Sequence, residues 1–221
     1  VNYKHFLEVV AKEAEGDLDV YFTRLVSKAR ADGNFHIPIV RPGSTGPVPR
    51  CGRKYDLSNC EVFVNGTNIV GKCGVNAKDL TEAECITRKQ VKEMFTFLKK
   101  YAPGFENCYI SLVPSEIGVR ETRRLDGVYV LTAEDLASGR KFEDTSAVGF
   151  NMIDIHQVAG EDFDLTHFAD GHYYSVPYRC LLPKTIANLL VTGRCISVTH
   201  EALGAVRVMV NTMPIAEAAG Y

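Results

Sequence analysis

Apolar positions in the first thirty residues recur at helical spacing. Phe6, Val9 and Val10 make one stripe, and Leu18, Tyr21, Phe22, Leu25, Val26 and Ala29 make a second. Gly16-Asp17 separates them, with Asp17 as the N-cap of the second helix and Gly33-Asn34 as its stop. His36 to Val40 reads as a short edge strand around Pro38. Residues 41–60 read as a loop rich in proline and glycine. Glu61–Asn65 and Asn68–Gly71 flank Gly66 as a hairpin. The clearest helix runs from Thr81 to about Tyr101. Thr81 and Glu84 are spaced as a capping box, and Ile86, Val91, Met94, Phe95 and Leu98 supply a buried face. Lys99 and Lys100 suit its negative end, and Pro103-Gly104 ends it.

From Cys108 onward the pattern turns to strands: Tyr109–Val113, Gly127–Leu131, Phe150–Ile155 and Tyr173–Leu182. A short helix opens at Thr132, with Asp135 placed to complete a cap. Ile186 to Gly193 is a nearly continuous apolar run, the pattern of a strand buried on both faces of a parallel sheet. A helix of small residues follows from about Glu201 to the end. The expected class is therefore α+β or α/β. A mixed β-sheet domain with flanking helices spans residues 1–185, and a strand–helix unit spans 186–221.

Composition narrows the functions. With 46% apolar and 24% charged residues and a formal charge of −2, the 221 residues match a soluble globular chain, with no electrostatic case for nucleic acid. No apolar run reaches the roughly 18–20 residues of a membrane span. Seven scattered cysteines without a C-x-x-C fit reduced thiols in the cytoplasm, the expected location. The chain begins at Val1 and stops at Gly220-Tyr221 within a helical pattern, so it is expected to be a piece of a longer protein.

Three constellations could carry chemistry. Gly118-Val119-Arg120-Glu121-Thr122-Arg123-Arg124 holds three arginines in five residues, a forked cationic site for a carboxylate, a phosphate or an electron-rich ring, or else surface ion pairs with Glu121 and Asp126. Alternation puts Asp154 and His156 on one side of a strand, where the carboxylate can orient the imidazole for proton transfer. His156 could equally be a satisfied structural histidine, and the D-x-H spacing, with His167 and His172 downstream, is too unspecific to assign a metal. Thirdly, Thr192-Gly193-Arg194-Cys195-Ile196-Ser197 leads into Thr199-His200-Glu201-Ala202-Leu203-Gly204-Ala205-Val206-Arg207. Small residues there allow an electron-rich ligand to approach a turn and a helix start, or form an ordinary packed crossover.

At these residues the chain resembles the FAD-dependent oxidoreductases of the two-dinucleotide-binding flavoprotein group, near the fumarate reductases and thioredoxin-reductase-like proteins. The matching stretches are Arg88–Val91, Pro103–Glu106, Ile117–Arg124, Tyr129–Thr132, Asp154–His156 and Asn188–Gly220, in the family's order. The resemblance implies a substrate domain joined to a Rossmann-like FAD domain, with residues 186–221 returning to the latter. It implies that Gly193, Arg194, Cys195 and Ser197 face the flavin or its ribityl–pyrophosphate chain, and that Ala202, Gly204 and Arg207 approach the ring. The G-x-G-x-x-G turn that cradles the pyrophosphate is absent from this sequence. The chain alone is therefore expected to be colourless and inactive, to hold FAD weakly or not at all, and to self-associate through apolar residues of 186–221.

The reading is a part of a flavin-dependent enzyme that moves hydride between a small anionic substrate and FAD. Arg120 and Arg124 are the candidates for anchoring that substrate in one cleft with His156, and His156 and His200 for moving a proton. A binding module without turnover is the alternative, and a zinc hydrolase a distant third.

Overall fold

The computed structural model describes residues 1–38, 45–47, 56–156 and 163–221; the side chains of Thr45, Pro47, His156, Phe163, Asp164 and Leu165 fall outside the described set. Contacts divide the chain into two compact units. One is Val1–Lys72 with Ala77–Ile117, and the other is Cys73–Asn76 with Gly118–Tyr221. The fold mixes helices with antiparallel β-ladders, an α+β arrangement.

The first unit is built on three helices, α1 (Tyr3–Ala14), α2 (Leu18–Ala31) and α3 (Ala77–Tyr101). Asp17 caps α2 as expected, its carboxylate accepting from the Val20 N–H at 2.9 Å. The two apolar stripes meet in an aromatic cluster. The Phe6 ring lies 5.3 Å from Phe22, 5.8 Å from Tyr21 and 5.6 Å from Phe105, all four buried. A fully buried ring of this kind stabilises by roughly 1.5–3 kcal/mol, which holds these helices together without an extensive sheet.

Two expectations change here. α3 begins at Ala77, a turn before Thr81, and the capping box does not form. The Thr81 hydroxyl instead donates to the Ala77 carbonyl, and Glu84 accepts from the Ile117 N–H at 2.6 Å. Strand β2 (Val62–Val64) pairs antiparallel with β1 (Thr45–Pro47) rather than with residues 68–71. The expected strand at 36–40 lies partly outside the described residues, and His36–Pro38 is not a strand.

The second unit contains α4 (Ala133–Ala137), β3 (Thr145–Gly149), β4 (Ile153–His156), β5 (Phe163–Thr166), β6 (Tyr174–Pro177), α5 (His200–Val206) and α6 (Met209–Gly220). β3 pairs with β6 and β4 with β5, each antiparallel. Their core gathers Leu131, Leu136, Tyr174, Val176, Leu181, Ile196, Leu203 and Ile215, all essentially inaccessible. α4 carries the anticipated cap in full, with Thr132 and Asp135 each bonding the other's backbone N–H.

The expected mixed sheet is replaced, among the described residues, by separate two-stranded ladders. Tyr109–Val113 is irregular, and Gly127–Leu131 makes only isolated bridges, Gly127 to Pro183 and Leu131 to Val198. Ile186–Thr192 forms no strand either. A strand buried on both faces needs a pairing neighbour and cover over each face. Here the Val191 N–H donates to the Leu181 carbonyl, while Ile186 and Leu189 stay exposed. The C-terminal helix is broken in two at Arg207-Val208. Buried Asn211 donates from Nδ2 to the Ala205 carbonyl at 3.0 Å, satisfying one of the carbonyls orphaned where α5 ends.

Candidate functional site

Hydrogen bonds across segments distant in sequence assemble the candidate residues of the second unit. The Leu125 N–H donates to the Cys195 carbonyl, Leu131 to Ser197, Thr199 to Leu131 and Ser197 to Cys180. These bonds hold the arginine segment beside the stretch 195–199. The Arg124 guanidinium adds a donor to the Val198 carbonyl at 3.0 Å, and Arg194 donates to the Val119 carbonyl.

Two small networks result. In the first, His200 Nδ1 lies 2.5 Å from Glu121 Oε2, and Glu121 Oε1 lies 3.3 Å from Arg124 Nε. His200 sits at the first position of α5, after the N-cap Thr199, whose hydroxyl accepts from Ala202 N–H. It borders an open groove of about 550 Å³ lined also by Thr122, Arg124, Val130, Val198 and Glu201. Backbone hydrogen bonding at the helix start, followed by the Thr199 hydroxyl, holds the Glu201 carboxyl below its ordinary range.

In the second network Arg120 Nη2 donates to Asp154 Oδ2 at 3.0 Å, and Arg207 Nη2 lies 3.7 Å from the same oxygen. Arg207 also donates to the Asp154 main-chain carbonyl at 2.7 Å. Its side chain is 11% exposed, against 47% for Arg120. Burial first, then repulsion from Arg120, lowers the Arg207 guanidinium to about 10, and the attraction of Asp154 does not cancel this.

α5 reaches β4 because of Gly204. A Cβ there would stand 3.0 Å from the Asp154 carbonyl oxygen and 3.0 Å from Ile155 Cγ1, so any larger residue would push helix and strand apart. Ala202 and Ala205 beside it are fully buried. Ser197 is likewise buried and accepts from the Gly127 N–H at 3.1 Å. Ala202, Gly204, Ala205 and Ser197 are thus engaged in packing within the unit. Gly193, Arg194 and Cys195 stand differently. They form a 3₁₀ turn with Gly193 at φ +74°, open space beside its Cα, and Arg194 and Cys195 exposed. Of the expected cofactor contacts, this turn is the part left open beside Gly193 and exposed at Arg194 and Cys195.

The carboxylates take partners that the sequence did not single out. Asp154 faces Arg120 and Arg207, and the side chain of His156 lies outside the described residues. The grouping of Arg120 and Arg124 with His156 therefore stays untested. Glu121, not singled out as a histidine partner, takes His200 across 79 positions. Only the Glu121-x-x-Arg124 spacing could have hinted at part of this arrangement. His172 donates from Nε2 to the Leu136 carbonyl, 2.8 Å away, and packs on Phe168, a satisfied structural histidine. Among the described residues no group of three or more His, Cys, Asp or Glu is placed to hold a metal ion, and no helix is long and apolar enough to cross a membrane.

Comparison with known proteins gives one finding. The family model described as FAD dependent oxidoreductase matches residues 8–221, taking in both units. The curated proteins and the solved structures contain no significant match.

Proposed function

The chain belongs to the FAD dependent oxidoreductase family, and on that footing we propose that it carries the substrate-binding and proton-handling groups of a flavin-linked redox reaction. Bound FAD supplies the ability to take up or give a hydride. The protein's own share is to hold a small anionic substrate and to move a proton.

His200 is the proton carrier in this reading. A carboxylate at Nδ1 keeps that nitrogen protonated, which leaves Nε2 of the neutral ring as the base. Glu121 orients the ring, and Arg124 braces Glu121 from its other oxygen. The Arg124–Glu121–His200 chain beside an open groove is the observation that carries the proposal. Arg120 is the cation for the substrate, and the exposed Gly193–Cys195 turn is the approach for the flavin. Residues 186–221 then form the cofactor-side segment and the preceding residues the substrate side. The Ile117–Arg124 and Gly193–Ser197 motifs support a place near the fumarate-reductase-like and thioredoxin-reductase-like members.

Titrating FAD with the purified chain, followed by flavin fluorescence, tests the cofactor half. Weak but saturable quenching, diminished by Arg194→Gln, is expected, since the sequence has no phosphate-binding turn to add affinity. Fluorescence unchanged at every protein concentration would overturn it.

A further inference from the structure

The groove beside His200 is lined by charges that already have partners. Arg124 meets Glu121 through Nε at 3.3 Å and the Val198 carbonyl through Nη1 at 3.0 Å. Asp126 is paired with Lys184. Glu201 adds a third carboxylate, which at neutral pH can only accept hydrogen bonds. The charged lining groups and their partners are thus Arg124 and Lys184 against Glu121, Asp126 and Glu201. A protonated His200 evens this count, and a neutral one leaves the groove negative. In neither state does the groove attract a carboxylate.

Its open hydrogen-bonding groups are of both kinds. Arg124 Nη2 and the Thr122 hydroxyl make no hydrogen bond among the described residues. The Thr122 methyl is held against Gly74, where a Cβ would stand 2.8 Å from Thr122 Cγ2, and this contact limits the rotamer of a β-branched side chain. Acceptors are the Glu201 carboxylate and His200 Nε2, since Glu121 occupies Nδ1. Val130, 41% exposed, and Leu125 supply apolar surface.

We propose that this groove binds the hydroxyl-bearing part of the substrate, which is therefore a hydroxylated acid with its alcohol groups in the groove and its carboxylate outside it. The inference rests on reading the groove as a substrate site, but not on flavin binding. A hydroxyl both donates and accepts, so it can serve the two kinds of group at once. It donates to Glu201 and to His200 Nε2, accepts from Thr122 and Arg124 Nη2, and lays its C–H surface on Val130 and Leu125. An ammonium could use only the acceptors and would stand beside the Arg124 guanidinium. Glu201 is thereby a substrate-binding residue.

Titration of the chain without FAD, followed by the His200 ring protons in the NMR spectrum, tests the groove. Loss of these signals in His200→Gln assigns them. Sorbitol, gluconate and glucamine share a polyol chain and differ at one end, which is neutral, anionic or cationic. Succinate has two carboxylates and no hydroxyl. With ionic strength held constant by sodium chloride, saturable shifts are expected with sorbitol and gluconate but not with succinate, and glucamine should bind no more tightly than sorbitol. Glu201→Gln should weaken sorbitol binding by roughly tenfold. Thr122→Val, which keeps the shape and removes the hydroxyl, should weaken it by roughly threefold to tenfold and covers the case in which Glu201→Gln disturbs the start of α5. No saturable shift with sorbitol, a stronger response to succinate, or sorbitol binding unchanged in both variants would overturn the proposal. Glucamine binding tenfold tighter than sorbitol would overturn it in favour of an ammonium site. Because FAD is not in the tube, each of these results leaves the flavin reading to be judged by its own titration.

Discussion

Replacing Asp135 by alanine should cost the second unit about 2–4 kcal/mol. Its carboxylate is nearly inaccessible and accepts from the Tyr129 hydroxyl at 2.8 Å and from the Thr132 N–H and hydroxyl at 3.1 Å each. Loss of the reciprocal cap on α4 accounts for about 1 kcal/mol. Stranding the Tyr129 hydroxyl and the Thr132 N–H without their acceptor adds roughly 1–3 kcal/mol. The Arg140 contact at 2.9 Å contributes little, since that guanidinium is solvent-exposed. In a unit of about a hundred residues each kcal/mol moves the midpoint by roughly 4–8 °C, so thermal unfolding by circular dichroism resolves the effect easily. Asp135→Asn separates charge from shape. Burial raises this carboxyl, but the bonds from Tyr129, Thr132 and Arg140 together outweigh burial and leave it below 3.8. A depressed folded value contributes stability above the unfolded value that is lost as pH falls through the folded one. The gap between the unaltered protein and Asp135→Asn should therefore be constant near neutral pH and close below about pH 4. A gap that persists unchanged at pH 2, or an alanine variant within about 0.5 kcal/mol of the parent, would refute the reasoning.

Gly204→Val should destabilise the second unit by about 1–3 kcal/mol through overpacking of α5 on β4. Unaltered denaturant unfolding would show that the contact is not tight. Cys180 should resist a thiol reagent at pH 8 until the protein unfolds, since burial pushes its thiol up to about 12, whereas the exposed Cys195 should react at once. Peptide mapping after brief alkylation distinguishes them, and early labelling of Cys180 would contradict the packing described.

Local signals carried well from sequence to structure. The helical stripes of α1 and α2, the Asp17 cap and the Thr132–Asp135 box depend on residues within four positions of each other, and all three form. The failures share a cause. Thr81 and Glu84 have the spacing of a box, but Glu84 is claimed by the Ile117 N–H, 33 positions away. Ile186–Val191 has the composition of a buried strand, yet a strand exists only where partners pair with it. The site divided along the same line. The arginine segment and the Gly193 turn stood out by composition. That Glu121 would meet His200, and Arg207 would meet Asp154, depends on the close approach permitted at Gly204 and on backbone bonds over more than 60 positions. The small residues of α5 were legible as close-packing residues, but nothing local told whether they would meet a ligand or β4.

Anaerobic stopped-flow mixing of the chain with photoreduced FAD and a panel of small unsaturated carboxylates tests the central claim most directly. The return of the oxidised-flavin absorbance reports hydride leaving for the substrate. With FAD in large excess, to offset the weak hold expected of a chain without a phosphate-binding turn, the account predicts that the chain accelerates this return for at least one of them, and that His200→Gln lowers the acceleration by about 10²–10⁴-fold. Glu121→Gln should shift its pH profile. Identical rates with and without the chain across the whole panel, with FAD bound, would contradict the claim and leave a module that binds without turning over.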